Sequence, residues 1–215
     1  LAVPPVLACT GHMIDAPGRG APRFPQAREA EVRRLVNAAL DRLRPMAVYG
    51  QAACGADILC LEGVLERGGE AHVVLPFPAA DFRATSVDLV PGSDWGERFE
   101  RLLERASTVT VTSDHRATGS TTTYHYANLV LTGAAALRAH LLETQLAGLA
   151  VWDGEPSGGP GGADDVVGLW GRRGIPVHVV DPAGLGSAEL EPDLAPPPPA
   201  PPETAAEGRS EERRV

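Results

Sequence analysis

Short apolar runs alternate with helical periods from Val6 to Leu75, and few folds accommodate that order. Val6 to Cys9 is a compact apolar run. Arg28 to Leu43 then carries Val32, Leu35, Val36, Ala39, Leu40 and Leu43, the stripe of an amphipathic helix, and Pro45 ends it. Met46 to Tyr49 reads as a second strand. Ala56 to Arg67 reads as a second helix stopped by Gly68-Gly69, and His72 to Leu75 as a third strand closed by Pro76-Phe77-Pro78. Strands separated by helices pair in parallel, because each crossover helix returns the chain to the same end of the sheet.

The pattern resumes after a loop. Trp95 to Ala106 is a helix capped by Ser93 or Asp94, and Thr108 to Thr112 is a β-branched strand. Thr121 to Thr123 caps a long helix from Tyr124 to Gln145, Leu149 to Trp152 is a strand, Val166 to Arg173 a helix and Val177 to Val180 the last strand. The expected fold is α/β: a Rossmann-like, doubly wound, mostly parallel sheet of about six strands with helices on both faces. In the usual winding the first and fourth strands flank the point where strand order reverses, and ligands bind there, outside the carboxyl ends. The domain is assigned to residues 1–186. Residues 187–215 are assigned to an acidic, disordered linker or tail, Pro-rich and without apolar period from Glu191 onward. A chain that begins with Leu1 reads as a piece of a longer protein, with the tail as the link to its next domain.

Three of the strand ends run into glycine-bearing turns. The first is Cys9-Thr10-Gly11-His12. The second runs from Gly50 through Ala53, Cys54 and Gly55 to Asp57. The third begins at Asp153-Gly154 and continues through Pro160, Gly161, Gly162, Ala163, Asp164 and Asp165. A strand that ends in small residues and feeds a helix offers bare backbone N–H groups to an anion at the positive end of the helix dipole. Three such turns in one domain point to a nucleotide-type pocket. Gly11 lets the backbone approach a phosphate or sugar, with His12 in the crevice. Asp57 either binds a ribose hydroxyl or complements its helix dipole. Cys54 is either a reactive thiol at a helix start or, the favoured reading, a buried small hydrophobe. Of Asp164 and Asp165, one can cap the helix while the other faces a sugar. Arg116, after the fourth strand, is the expected phosphate clamp. Tyr124 and Asn128, four apart on one helix face, either stack on and hydrogen-bond a base or pack in the core. Arg19 and Arg23 can close over the ligand or remain solvated.

Composition removes several chemistries. The chain has no lysine, so it has no Walker lysine and no Schiff-base lysine, and any cationic clamp is arginine. The net charge is −9, and the stretch from Glu191 onward, with six acids against three arginines, accounts for only part of it. That balance disfavours nucleic acid as a partner but leaves room for a small phosphorylated ligand. The six histidines show no metal-ligand spacing, so no metal is expected. Three cysteines without a CxxC pair fit a reducing, cytoplasmic setting. No apolar run is long enough to cross a bilayer. The first turn is not G-x-G-x-x-G, which argues against ordinary NAD binding.

From Val6 to Asp181 these turns resemble the SMF/DprA–LOG superfamily, often called SLOG. The likeness rests on Gly50 to Asp57, similar to its G-x-x-x-G-A-D, and on Pro160-Gly161-Gly162, similar to its P-G-G. Gly11-His12-Met13-Ile14-Asp15 and Ala53-Cys54-Gly55-Ala56-Asp57-Ile58-Leu59 resemble a bacterial branch fused to tetratricopeptide repeats or cyclase modules. The resemblance implies a nucleotide-derived ligand, no further cofactor, a fused or associated effector domain, and a homodimer paired through helices. Enzymes of the superfamily carry P-G-G-x-G-T-x-x-E with a catalytic final carboxylate. Here Asp164 and Asp165 stand at the glycine and threonine positions and Gly168 at that of the glutamate. The expectation is therefore a ligand sensor in a signalling protein, non-catalytic or weakly catalytic, in which binding orders the loops around Arg19 and Arg116. The alternative is a nucleoside 5'-monophosphate phosphoribohydrolase in which Asp164 or Asp165 stabilises the ribose cation. A DNA-processing adaptor is the third reading, disfavoured by the acidity.

Overall fold

A computed structural model describes residues 3–116, 121–156 and 161–190. Its elements in chain order are β1 (Val6–Gly11), α1 (Glu29–Leu43), β2 (Ala47–Gly50), α2 (Ala56–Glu66), β3 (Glu70–Leu75) and α3 (Ala79–Ser86). They continue with α4 (Trp95–Arg105), β4 (Thr108–Val111), α5 (Thr122–Leu141), β5 (Leu146–Val151), α6 (Ala163–Arg172), β6 (Val177–Asp181) and β7 (Gly186–Leu190). One sheet holds all seven strands in the order β4-β3-β2-β1-β5-β6-β7, parallel except for β7. This is the expected Rossmann-like α/β architecture.

Side chains alternate across the strands and build a core on each face of the sheet. Leu7 and Cys9 of β1 point to the face covered by α1, α2, α3 and α4, where Val36, Leu40, Ile58, Phe82 and Phe99 are buried. Val6 and Ala8 point to the other face, against Leu131 and Ala135 of α5 and Val166 and Trp170 of α6. Gly148 makes room for the Trp170 indole, since a Cβ there would lie 2.5 Å from its ring. The indole Nε1 donates to Thr132 Oγ1 at 3.1 Å, so the buried ring leaves no polar atom unpaired.

Three expectations change. Strand order reverses between β1 and β5, because β4 lies at the edge beside β3. Arg116, which follows β4, is therefore carried away from the reversal instead of toward it. The segment after Pro78, expected as a loop, contains α3, which buries only Phe82 and Ser86 and so shows no apolar period. The sheet has a seventh strand, and β7 runs four residues beyond the boundary expected at 186. The rest of the expected tail, residues 191–215, lies outside the described residues.

Candidate functional site

The backbone at the exits of β1 and β2 is stitched together. His12 N donates to Val151 O at 2.9 Å, which ties the end of β1 to β5. Ala56 N donates to His12 O at 3.2 Å and Ile14 N to Cys54 O at 3.2 Å, which ties it to the turn after β2. Such contact needs glycine at Gly55: its φ is +96°, and a Cβ would lie 2.8 Å from Ile14 N and 2.9 Å from His12 O. Gly11 is as closely enclosed, by Ala56 Cβ and Val151 O at 2.6 Å. Cys54 N donates to Ser86 O at 2.9 Å and brings the end of α3 to the same place.

These turns enclose one side of a cavity of about 450 Å³, and α5 and the start of α6 form the other. Thr10, Gly11 and His12 line it from β1, Ala53 and Asp57 from the second turn, and Gly161, Gly162 and Ala163 from the third. Tyr124 and Asn128 line it from one face of α5, as their spacing predicts. Gly50 and Gly55 lie behind the wall. At Gly50 a Cβ would meet Cys9 Sγ at 2.6 Å. Asp153 stands behind His12, and Gly154, Asp164, Asp165 and Arg116 do not line the cavity. The Arg116 guanidinium lies 6.0 Å from the Phe77 ring centroid. Pro160 lies outside the described residues. Residues the sequence reading missed are Cys9, Met13, Gln51, Phe82, Thr85, Ser86 and Thr121. Arg19 and Arg23, left open as solvated, are the arginines that line the cavity.

Arg23 is fully engaged. Its Nε and Nη2 donate to the two Asp153 oxygens at 2.7 and 2.6 Å, and Nη1 and Nη2 reach Pro156 O and Glu155 O. This bidentate pair pins the loop after β1 to the chain leaving β5. Arg23 holds the Asp153 carboxyl well below the usual carboxylate range against the opposing burial, with smaller help from His12 and the Glu155 amide. His12 Nε2 lies 3.0 Å from Asp153 Oδ1. Burial lowers the His12 pKa and Arg23 adds to that, against the Asp153 contact. Arg19 is 44% exposed and sits 3.3 Å from Asp15 Oδ1, so it is the cation with freedom to turn toward a ligand.

Asp57 lies on the cavity wall with no cationic partner among the described residues. Its Oδ2 accepts from Ala53 N at 3.3 Å. Burial pushes its pKa up to about 7, although the Ala53 and Gln51 amides favour the charged form. Cys54 is buried and its thiol is pushed up to about 12, so it is the small hydrophobe of the two readings. Gln51 donates to Asn128 Oδ1, and Asn128 Nδ2 donates to Gly161 O at 3.2 Å, so an amide chain links the second turn to the third. Asp165 accepts from Gly161 N at 3.0 Å and contacts His125 Nδ1 at 2.6 Å. It holds the α6 start against α5 and does not line the cavity. No group of three or more His, Cys, Asp or Glu side chains that could hold a metal ion occurs among the described residues.

No protein-family model and no curated protein matches the chain. Among solved structures it is similar to DNA processing protein A (DprA) from Streptococcus pneumoniae, at 14% identity and a TM-score of 0.40. That likeness covers 80% of this chain and 58% of the other, so the chain spans less than two thirds of the DprA structure. It is also similar to the Chlamydomonas rheinhardtii Moco carrier protein, at 16% identity and a TM-score of 0.26 over 84% of this chain and 92% of that one. Neither likeness bears on what this chain binds.

Proposed function

We propose that the chain binds a nucleotide or nucleotide-derived ligand in this cavity and reports its presence to a fused or associated effector, as the sensing branch of the SLOG superfamily implies. The observation that carries the reading is the meeting of three glycine-bearing turns, from β1, β2 and the start of α6, around one cavity outside the carboxyl ends of the strands. The phosphate belongs near Gly162 and Ala163, at the positive end of the α6 dipole, with Arg19 turning in from its contact with Asp15. The sugar and base extend toward Asp57, Gln51, Tyr124 and Asn128, which offer hydrogen-bonding atoms and one aromatic face. The hydrolase alternative built on Asp164 or Asp165 loses its footing, since neither lines the cavity and Asp165 is committed to Gly161 and His125.

The test is calorimetry and thermal shift with nucleoside monophosphates, cyclic dinucleotides, ADP-ribose and unphosphorylated adenosine. At least one phosphorylated compound should bind and raise Tm, and adenosine should bind more weakly. Arg19→Ala should weaken the phosphorylated ligand by roughly tenfold or more, the worth of one charge-assisted hydrogen bond. Indifference to every phosphorylated compound would overturn the reading. We further propose that two copies pair through the outer face of α5.

A further inference from the structure

The three turns do not offer the same chemistry. The second holds a carboxyl group of the chain itself: Asp57 is buried on the cavity wall, its Oδ2 accepts from Ala53 N at 3.3 Å, and the Gln51 amide also favours its charged form. No arginine or histidine among the described residues pairs with it. A phosphate placed there would meet a like charge in a poorly solvated site, so the α6 start and Arg19 are left for the anion and another part of the ligand faces Asp57. A carboxylate offers about four lone-pair sites, and no side chain of a described residue takes any of these. Asp57 Oδ1 is not among the buried unpaired atoms, so acceptor sites remain open to a ligand.

An amide chain adds a second acceptor. Gly161 O can only accept, so Asn128 turns its Nδ2 to it, at 3.2 Å. Asn128 Oδ1 then faces Gln51, which donates from Nε2. That leaves Gln51 Oε1 as an acceptor. It accepts from no described residue, is not among the buried unpaired atoms, and belongs to a residue that lines the cavity. Asp57 and Gln51, both from the turn after β2, therefore call for hydrogen-bond donors.

The bases differ most in this respect. On the edge away from its sugar, guanine carries N1–H beside a 2-amino group, and both only donate. Adenine and cytosine each set a bare ring-nitrogen lone pair beside their amino group, and uracil sets one N–H between two carbonyl oxygens. A lone pair against a buried carboxylate is repelled and leaves the carboxylate unpaired. A ribose diol would also satisfy Asp57, but hydroxyls accept as readily as they donate and give no preference among bases.

We propose that the cavity selects a guanine nucleotide, with N1–H and the 2-amino group donating to the Asp57 carboxylate and the second amino hydrogen left for Gln51 Oε1, a choice of base that rests on the nucleotide reading above. Asp57 and Gln51 are then the residues that determine specificity.

The experiment is calorimetry of the full chain with GMP, 2'-deoxy-GMP, IMP, XMP and AMP at pH 8. That lies above the value of about 7 to which burial raises Asp57, whose neighbours are the Gln51 and Ala53 amides and the Cys9 and Cys54 thiols. GMP and 2'-deoxy-GMP should bind alike. IMP, which lacks the 2-amino group, should bind about tenfold or more weakly, and AMP about 100-fold or more weakly. Asp57→Asn should weaken GMP by about tenfold or more and strengthen XMP, because asparagine offers an acceptor to N1–H and a donor to the oxygen that xanthine carries in place of the amino group. A merely structural role would weaken both. Equal affinity for GMP and AMP, a loss confined to 2'-deoxy-GMP, or an Asp57→Asn variant that keeps the native preference overturns the guanine assignment and leaves the nucleotide reading standing. Absence of binding by every nucleotide overturns both. The native order of GMP, IMP and AMP decides the matter if the variant does not fold.

Discussion

Asp57 sits in the first turn of α2, where a carboxylate ordinarily serves the helix dipole, yet burial pushes its pKa up to about 7. The consequence for stability has a definite sign. Between the unfolded value near 3.8 and the folded value near 7, the native state binds more protons than the unfolded chain. Asp57 therefore contributes stability that is complete below pH 3.8 and is lost as pH rises through 7. Urea unfolding from pH 4 to 8 should show the native protein losing on the order of a few kcal/mol relative to Asp57→Asn across that window. Parallel curves for the two proteins would remove the buried acid. His12 offers a second measurement. Because Arg23 lowers its pKa, Arg23→Ala should move the His12 titration upward, as read by NMR, and a downward shift would contradict the geometry. The position of His12 after the first strand was legible in the sequence. Its partner Asp153 lies 141 residues away, and only the pairing of β1 with β5 brings the two together.

At the scale of elements, turn chemistry carries the site. Gly161 has φ +91°, and a Cβ there would lie 2.9 Å from Tyr124 Cβ and 3.2 Å from His125 N. Gly161→Ala should cost about 1–2 kcal/mol from the backbone conformation alone and more from pushing α5 away, visible as a lower urea midpoint with weakened ligand binding. A neutral effect would mean that the third turn is not tied to α5. The glycine turns announce themselves in sequence because small residues after an apolar run leave few other uses for the backbone. Strand order does not, since alternating strands and helices look the same whether the next strand joins one edge or the other. Arg116 was misplaced for that reason: β4 extends the first half of the sheet, and β5 begins the second. Helix α3 escaped notice because only Phe82 and Ser86 are buried, so its period is too sparse to read. Yet Phe82, Thr85 and Ser86 line the cavity.

Among the described residues of the whole molecule, one apolar face is left uncovered. Helix α5 turns Ala127, Asn128, Leu131, Thr132, Ala135 and Ala139 toward the sheet. On the opposite side Tyr126, Leu137 and Leu141 are 53%, 58% and 70% exposed, with partly buried Val130 and exposed Gly133 between them. Steps of three and four place all five on one stripe of the helix, and no described residue comes within 4 Å of the space above Gly133. A small residue at the centre of an apolar stripe lets a second helix come close, and a two-fold axis through that point would lay each stripe on its copy. On the other face of the sheet the edge strand β4 exposes Val109 and Val111 at 44% each, in register with Val73 and Leu75 of β3. Light scattering behind size exclusion should give twice the chain mass at micromolar concentration. Leu137→Glu combined with Leu141→Glu should halve that mass while Tm and nucleotide binding remain, because neither side chain belongs to the core or the cavity. A native protein that stays monomeric over the same range, or a charged variant that stays dimeric, would place the pairing elsewhere. The two outcomes also differ for signalling. Tyr124 and Asn128 face the cavity from the helix whose outer stripe would meet its copy, so a ligand that shifts α5 would alter the dimer through a single rigid element.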